Sequence, residues 1–167
     1  VPTPMFGNDT WGCCVISGWA HQTLRFELVE QQRILPVTEQ EVVDEYLAQT
    51  GGADIGLITL ESLRLWRKQG WIAAKQRYMI RAFSEVNRTS INEVKTAIYM
   101  NLGVGIGLSL PISAYEELTA GKPWRRTAGR GTTPNSWGGH YVYVCGYTRI
   151  GPVCVTWGRK QQMSWAF

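Results

Sequence analysis

Histidine is what this chain has least of, and its cysteines are badly spaced for metal. Two histidines, His21 and His140, stand in 167 residues, and the four cysteines, Cys13, Cys14, Cys145 and Cys154, contain no C-x-x-C unit. Zinc sites need four ligands at short, recurring spacings, so neither a metal nor any other cofactor is expected. Adjacent Cys13 and Cys14 are poor disulfide partners, while Cys145 and Cys154 fall in strand-like stretches as apolar residues, so a reducing compartment is favoured. Long apolar runs are missing too: residues 104–110 and 141–146 are the longest and fall far short of a bilayer span. Val1 opens no basic-then-apolar segment, and the chain is read as soluble, cytoplasmic and without a membrane partner. Charge is sparse at 18%, with a net +4. Its one dense patch, Lys122, Arg125, Arg126 and Arg130, lies in a Gly-, Thr- and Pro-rich loop with few aromatics between the charges. That pattern marks a solvated loop rather than a nucleic-acid site.

What is present is the material of a core: 44% hydrophobic residues and eight tryptophans. A chain of this length buries about two-thirds of its unfolded surface, and without linker, repeat or low-complexity segment it is expected to be one domain over residues 1–167. Residues 1–12 lack periodicity and are expected to run extended over the surface. Ile16, Ala20, Leu24 and Leu28 then recur every four residues, predicting a helix from Cys14 to about Gln32. Thr38 to Glu41 reads as a capping box for a second helix that stops at Gly51-Gly52. A third is expected from about Thr59 to Gln69, with Leu60, Leu63, Leu65 and Trp66 as its apolar face. Residues 72–78 read as one strand, followed by an extended stretch to Val86. Ser90 to Glu93 opens another helix, Val104–Leu110 is a strand whose glycines predict close approach by a neighbour, and residues 113–119 form a helical turn. Residues 120–138 read as loop. Two strands, His140 to Tyr147 and Val153 to Trp157, close the chain. Helices first (about 1–70) and sheet last (about 71–167) give an α+β fold.

Cys14 is expected in the first turn of its helix, where unpaired N–H groups and the helix dipole favour a thiolate, the form that attacks carbonyls. Cys13 beside it leaves the choice of nucleophile open by one residue, and both also fit as small apolar residues at a helix start. Asn8, six residues upstream of Cys14, has an amide able to serve as an oxyanion donor. His140 begins a strand after Gly138-Gly139, a setting from which an imidazole projects towards a thiol as its base. His21 is the rival base, but on the same helix it lies about 10 Å along the axis from Cys14 and is read as a core or surface residue.

These residues carry a resemblance. Asn8, Cys14 with the apolar helix behind it, and the Gly-Gly-His strand ending in Gly146-Tyr147 resemble the papain-like cysteine peptidase superfamily, including its compact C1- and C39-like members. The stretches Gly7–Cys14, Leu63–Trp71, Ser136–Tyr147 and Val155–Phe167 are also similar to a group of small phage and prophage proteins of that superfamily. The resemblance implies a papain-like α+β fold, with the Cys-bearing helix central in the N-terminal part and packed on a C-terminal antiparallel sheet. It implies Cys14 as nucleophile, His140 as base, and Asn8 in place of the family's Gln as oxyanion donor. A third residue, Asn or Asp in the family, orients the histidine from the next strand. Where relatives read Asn-Ser-Trp-Gly this chain has Val155-Thr156-Trp157-Gly158. Val155 cannot bond an imidazole; Thr156 can, but alternation along a strand lets only one of the two face His140. Asn135-Ser136-Trp137-Gly138 lies upstream of His140 and is out of order, although Asn135 is able to reach the site from a loop.

Two functions follow. One is a cysteine peptidase or amidase acting on a peptide or protein, with Cys14 and His140 expected within about 4 Å of each other. The other is an inactive papain-like fold kept as a structural or binding protein with protein partners in an assembly, virion-associated in a phage particle. The apolar ending Trp165-Ala166-Phe167 reads as a chain cut within a packed element, or as a terminus with Trp165 and Phe167 buried over the last two strands.

Overall fold

The computed structural model describes residues 2–167. It forms two compact units, one ending at Val86 and one running from Asn87 to Phe167.

In the first unit, helix α1 (Cys14–Glu30) is buried almost continuously from Val15 to Ala20, as expected of a helix apolar all round in its first half. Helix α2 (Glu39–Thr50) opens on a complete capping box between Thr38 and Glu41 and closes on Gly51 at φ 68°, the left-handed stop that glycine adopts without a Cβ penalty. Helix α3 (Thr59–Lys68) buries Trp66 and Ser62. Its expected apolar face is corrected in part: Leu60 is exposed, because the helix turns the Ser62–Trp66 stripe inward. Trp66 stacks on Trp19 of α1 at 4.6 Å between ring centroids.

Residues 72–78 are not one strand. Trp71–Ala73 (β1) and Gln76–Tyr78 (β2) pair antiparallel about Ala74 and Lys75, whose φ values of 48° and 63° make the tight two-residue turn that matches strand twist. Glu41, already in the capping box, also accepts the Lys75 N–H at 3.2 Å, so one carboxylate ties the start of α2 to this turn. The N-terminal segment is likewise not simply extended. Phe6 and Gly7 are buried, and Gly7 C=O accepts from both Thr10 N and Trp11 N at 3.0 and 2.8 Å.

The second unit opens with helix α4 (Ile91–Met100), capped by Ser90. Glu93 does not complete the capping box but accepts the Asn87 N–H at 2.9 Å. Strand β3 (Val104–Leu110), helix α5 (Ile112–Thr119) and strands β4 (Gly138–Tyr147), β5 (Pro152–Thr156) and β6 (Arg159–Gln162) follow. The four strands form one antiparallel sheet in the order β3-β4-β5-β6. Strand β6 was not anticipated, since Arg-Lys-Gln-Gln carries no apolar alternation; it forms by pairing with β5 and buries Gln161. Val142, Val144 and Cys154 from the sheet, Ile98 from α4 and Ala114 and Leu118 from α5 share a core with Trp124. Residues 120–137 are therefore a loop with a buried anchor, Trp124, which bridges Met163 in parallel, and Gly138 already belongs to β4.

The strand glycines do admit a neighbour. A Cβ on Gly105 would lie 1.8 Å from Tyr141 Oη, and one on Gly103 would lie 2.4 Å from the Tyr143 ring, whereas Gly107 has open space. Tyr143, opposite Gly105 in the register, leans along the strand over Gly103 and donates its hydroxyl to Leu102 C=O at 2.6 Å. At the terminus, Trp165 and Phe167 are partly buried rather than fully covered. Phe167 packs on Trp124 at 5.7 Å, and Trp165 lies beside Tyr147 at 6.1 Å.

Candidate active site

The sequence-predicted residues divide between the units: Asn8 and Cys14 belong to the first, His140 and Thr156 to the second. Cys14 is the first residue of α1, after an N-cap at Cys13 that makes no side-chain cap. It is partly buried. Its neighbour is a different kind of thiol. Cys13 is fully buried, donates to Phe6 C=O at 3.4 Å, and is pushed up to about 11, chiefly by burial. Burial of this kind disfavours the thiolate, the form that attacks carbonyls. Asn8 is partly buried inside the turns that follow Phe6, with its N–H donated to Met5 C=O at 3.3 Å.

His21 is buried against Phe6, with ring centroids 5.1 Å apart, and burial lowers it to about 4. A hydrogen bond to the Pro2 backbone works in the opposite direction. This histidine secures the incoming segment to α1, in keeping with its core reading.

In the second unit, alternation decides between Val155 and Thr156. Val155 pairs with Tyr143 and shares its face, while Cys154 pairs with Val144; Thr156 therefore lies on the Val142–Val144 side, as does His140. His140 Nε2 and Thr156 Oγ1 are 2.7 Å apart, both residues buried. Asn135, by contrast, is exposed at φ 64°, while Ser136 Oγ accepts the Ile112 N–H at 3.0 Å and so caps α5.

The imidazole is also covered by an aromatic that had not been singled out. Trp157 stacks on His140 at 4.0 Å and 4°. It is placed there by the β5–β6 turn, where Trp157 at φ 42° and Gly158 at φ 73° make a two-residue loop closed by Thr156 and Arg159. Trp137 packs on Trp157 at 5.0 Å, and Trp124 meets it edge-on at 6.5 Å. The one signal available in sequence was the Trp-Gly pair directly after Thr156. Desolvation in this setting lowers His140 to about 4, so the ring by itself is neutral at pH 7 and has a lone pair for an incoming proton. If Nε2 carries the hydrogen and donates it to Thr156, that lone pair is on Nδ1.

Among the described residues, no group of three or more His, Cys, Asp and Glu is arranged to hold a metal ion, and no helix is long and apolar enough to cross a membrane. No family model and no curated protein matches the chain. Among solved structures it is similar to xylellain, a cysteine protease from Xylella fastidiosa, with a TM-score of 0.73 over 99% of this chain and 76% of that one, at 15% sequence identity. What the chain shares with that protease is its fold, α+β and papain-like.

Proposed function

We propose that the chain is a cysteine peptidase or amidase. Cys14 is the nucleophile, His140 its base, and Thr156 the residue that orients His140. Asn8 and the Cys14 backbone N–H hold the oxyanion. The observation that carries this reading is the 2.7 Å contact between His140 Nε2 and Thr156 Oγ1. A buried hydroxyl at the position where papain-like relatives place an amide gives the imidazole one fixed orientation and leaves its other nitrogen for chemistry.

In this mechanism Cys14 Sγ bonds to the carbonyl carbon of a peptide or protein substrate while its proton passes to His140. Negative charge builds on the carbonyl oxygen, opposite the Asn8 amide and the Cys14 N–H. His140 returns the proton to the leaving nitrogen as the C–N bond breaks, leaving a thioester. Water, deprotonated by His140, then attacks the thioester and releases the acid, and the thiol regains its proton. Burial holds the isolated imidazole to about 4; a thiolate beside it would raise that value, since an opposite charge favours the protonated ring.

The test is site-resolved alkylation of Cys14 by iodoacetamide in the wild type and in His140→Ala, alongside turnover of a peptide mixture. A paired thiolate alkylates well below the free-thiol pKa of about 8.5, and His140→Ala should return it to that value. Cys14→Ala should abolish hydrolysis with the fold intact. A wild-type profile indistinguishable from a free thiol, with no turnover, would sink the enzyme reading and leave that of a binding or structural protein, virion-associated or otherwise.

A further inference from the structure

Gly12 lies two residues before Cys14, and its N–H donates to Asp54 Oδ1 at 2.9 Å. The same carboxylate oxygen accepts the Tyr46 hydroxyl at 2.5 Å, and Tyr46 Oη accepts the Gly56 N–H at 2.9 Å. Tyr46 is fully buried on α2. The carboxylate is thus tied to a helix through the phenol, although it comes from a Gly-rich loop. A Cβ on Gly12 would lie 3.0 Å from Asp54 Oδ1 and 3.2 Å from Tyr46 Oη, so the contact is close enough to favour a bare backbone. On the other side, Cys13 C=O accepts the Ser17 N–H at 3.0 Å. The peptide unit that carries the Cys14 N–H is therefore held through its own carbonyl by the first helical hydrogen bond, and the chain is held again two peptide units upstream, at the Gly12 N–H, by Asp54.

We propose that Asp54, braced by Tyr46, is a positioning residue for Cys14: it sets the path by which the chain enters α1, and with it the aim of the Cys14 N–H and thiol. This inference rests on the reading of Cys14 as the nucleophile. The carboxyl is held below its usual range by the Tyr46 hydroxyl and then by the Gly12 N–H, so it is ionised at neutral pH. By charge alone a neighbouring carboxylate makes a thiol harder to ionise. Its contribution to the site is geometric, and the two effects have opposite signs.

That opposition provides the experiment. Amide hydrogen exchange and Cys14 alkylation by iodoacetamide from acid to neutral pH are measured on the full chain as wild type, Asp54→Ala and Asp54→Asn. Asp54→Ala should lose about tenfold or more of the protection at the amides of residues 12–14, with the interior of α2 unchanged. It should also alkylate more slowly at acid pH even though a negative charge has gone. Asp54→Asn keeps an acceptor oxygen without the charge; it should retain the protection and alkylate at least as fast as wild type. Equal behaviour of the two variants, or unchanged protection in Asp54→Ala, overturns the proposal. An ordinary thiol profile in wild type, with the Ala-specific loss of protection still present, overturns the nucleophile reading and supports the hold of Asp54 on the entry to α1, because exchange reports the backbone directly.

Discussion

The imidazole of His140 lies flat on the indole of Trp157, with ring centroids 4.0 Å apart and planes within 4°, while its Nε2 meets Thr156 Oγ1 at 2.7 Å. Stacking fixes the plane of the ring and the hydroxyl fixes its rotation within that plane, so the two contacts together leave a single orientation. Both partners come from Thr156-Trp157, adjacent residues at the end of β5 and in the turn that follows it. Rotation about the strand end would disturb both at once.

Thr156→Val, which keeps the shape and removes the hydroxyl, should therefore be costly. A buried ring nitrogen left without a partner destabilises by about 1–3 kcal/mol, and the loss of orientation should lower kcat by roughly tenfold or more with KM little changed. Thr156→Ser should recover most of both. Urea unfolding and steady-state hydrolysis measure the two effects; a Val variant equal to wild type in both would remove Thr156 from the site.

Acid should destabilise the protein through its histidines. Burial lowers His21 from 6.5 to about 4, so between those values the unfolded chain binds a proton that the folded one refuses. Stability from this group is complete above about pH 6.5 and is lost as pH falls towards 4, by up to about 3 kcal/mol. His140, lowered to about 4 by the same cause, adds a similar term if no thiolate pairs with it. Urea midpoints over this window should fall steadily in wild type and more gently in His21→Gln. Equal slopes in the two proteins would show that His21 titrates normally.

Close approach by a tyrosine demands glycine just before β3, at Gly103, and at Gly105 within it, but not at Gly107. Gly103 sits at φ 151° with the Tyr143 ring in the place a Cβ would take, and Tyr143 is held there by its bond to Leu102 C=O. Gly103→Ala should cost roughly 2–3 kcal/mol through overpacking and backbone strain. Gly107 has open space around it, and Gly107→Ala should be neutral or stabilise by up to about 1 kcal/mol, since it removes freedom from the unfolded chain. Thermal unfolding of the two variants side by side checks the contrast; similar losses in both would refute it.

Local chemistry was legible wherever its signal was local. The capping box at Thr38–Glu41, the glycine stop after Thr50, the start of α1 at Cys14 and the strand from Val104 to Leu110 all follow from residues within one turn or one strand of each other. So does the position of Cys14 at a helix N-terminus. What sequence left open was decided by register and by burial, which depend on distant residues. Thr156 rather than Val155 shares a face with His140 because Cys154 pairs with Val144. Cys13 and Cys14 are adjacent and chemically identical, yet only Cys13 is enclosed beneath Phe6, and that enclosure pushes its thiol to about 11. Strand β6 has no apolar alternation to announce it and exists because β5 offers it an edge. Residue type and spacing thus determined which elements form and which side chains are chemically capable. The pairing of distant strands, which no single segment encodes, decided which of those side chains meet.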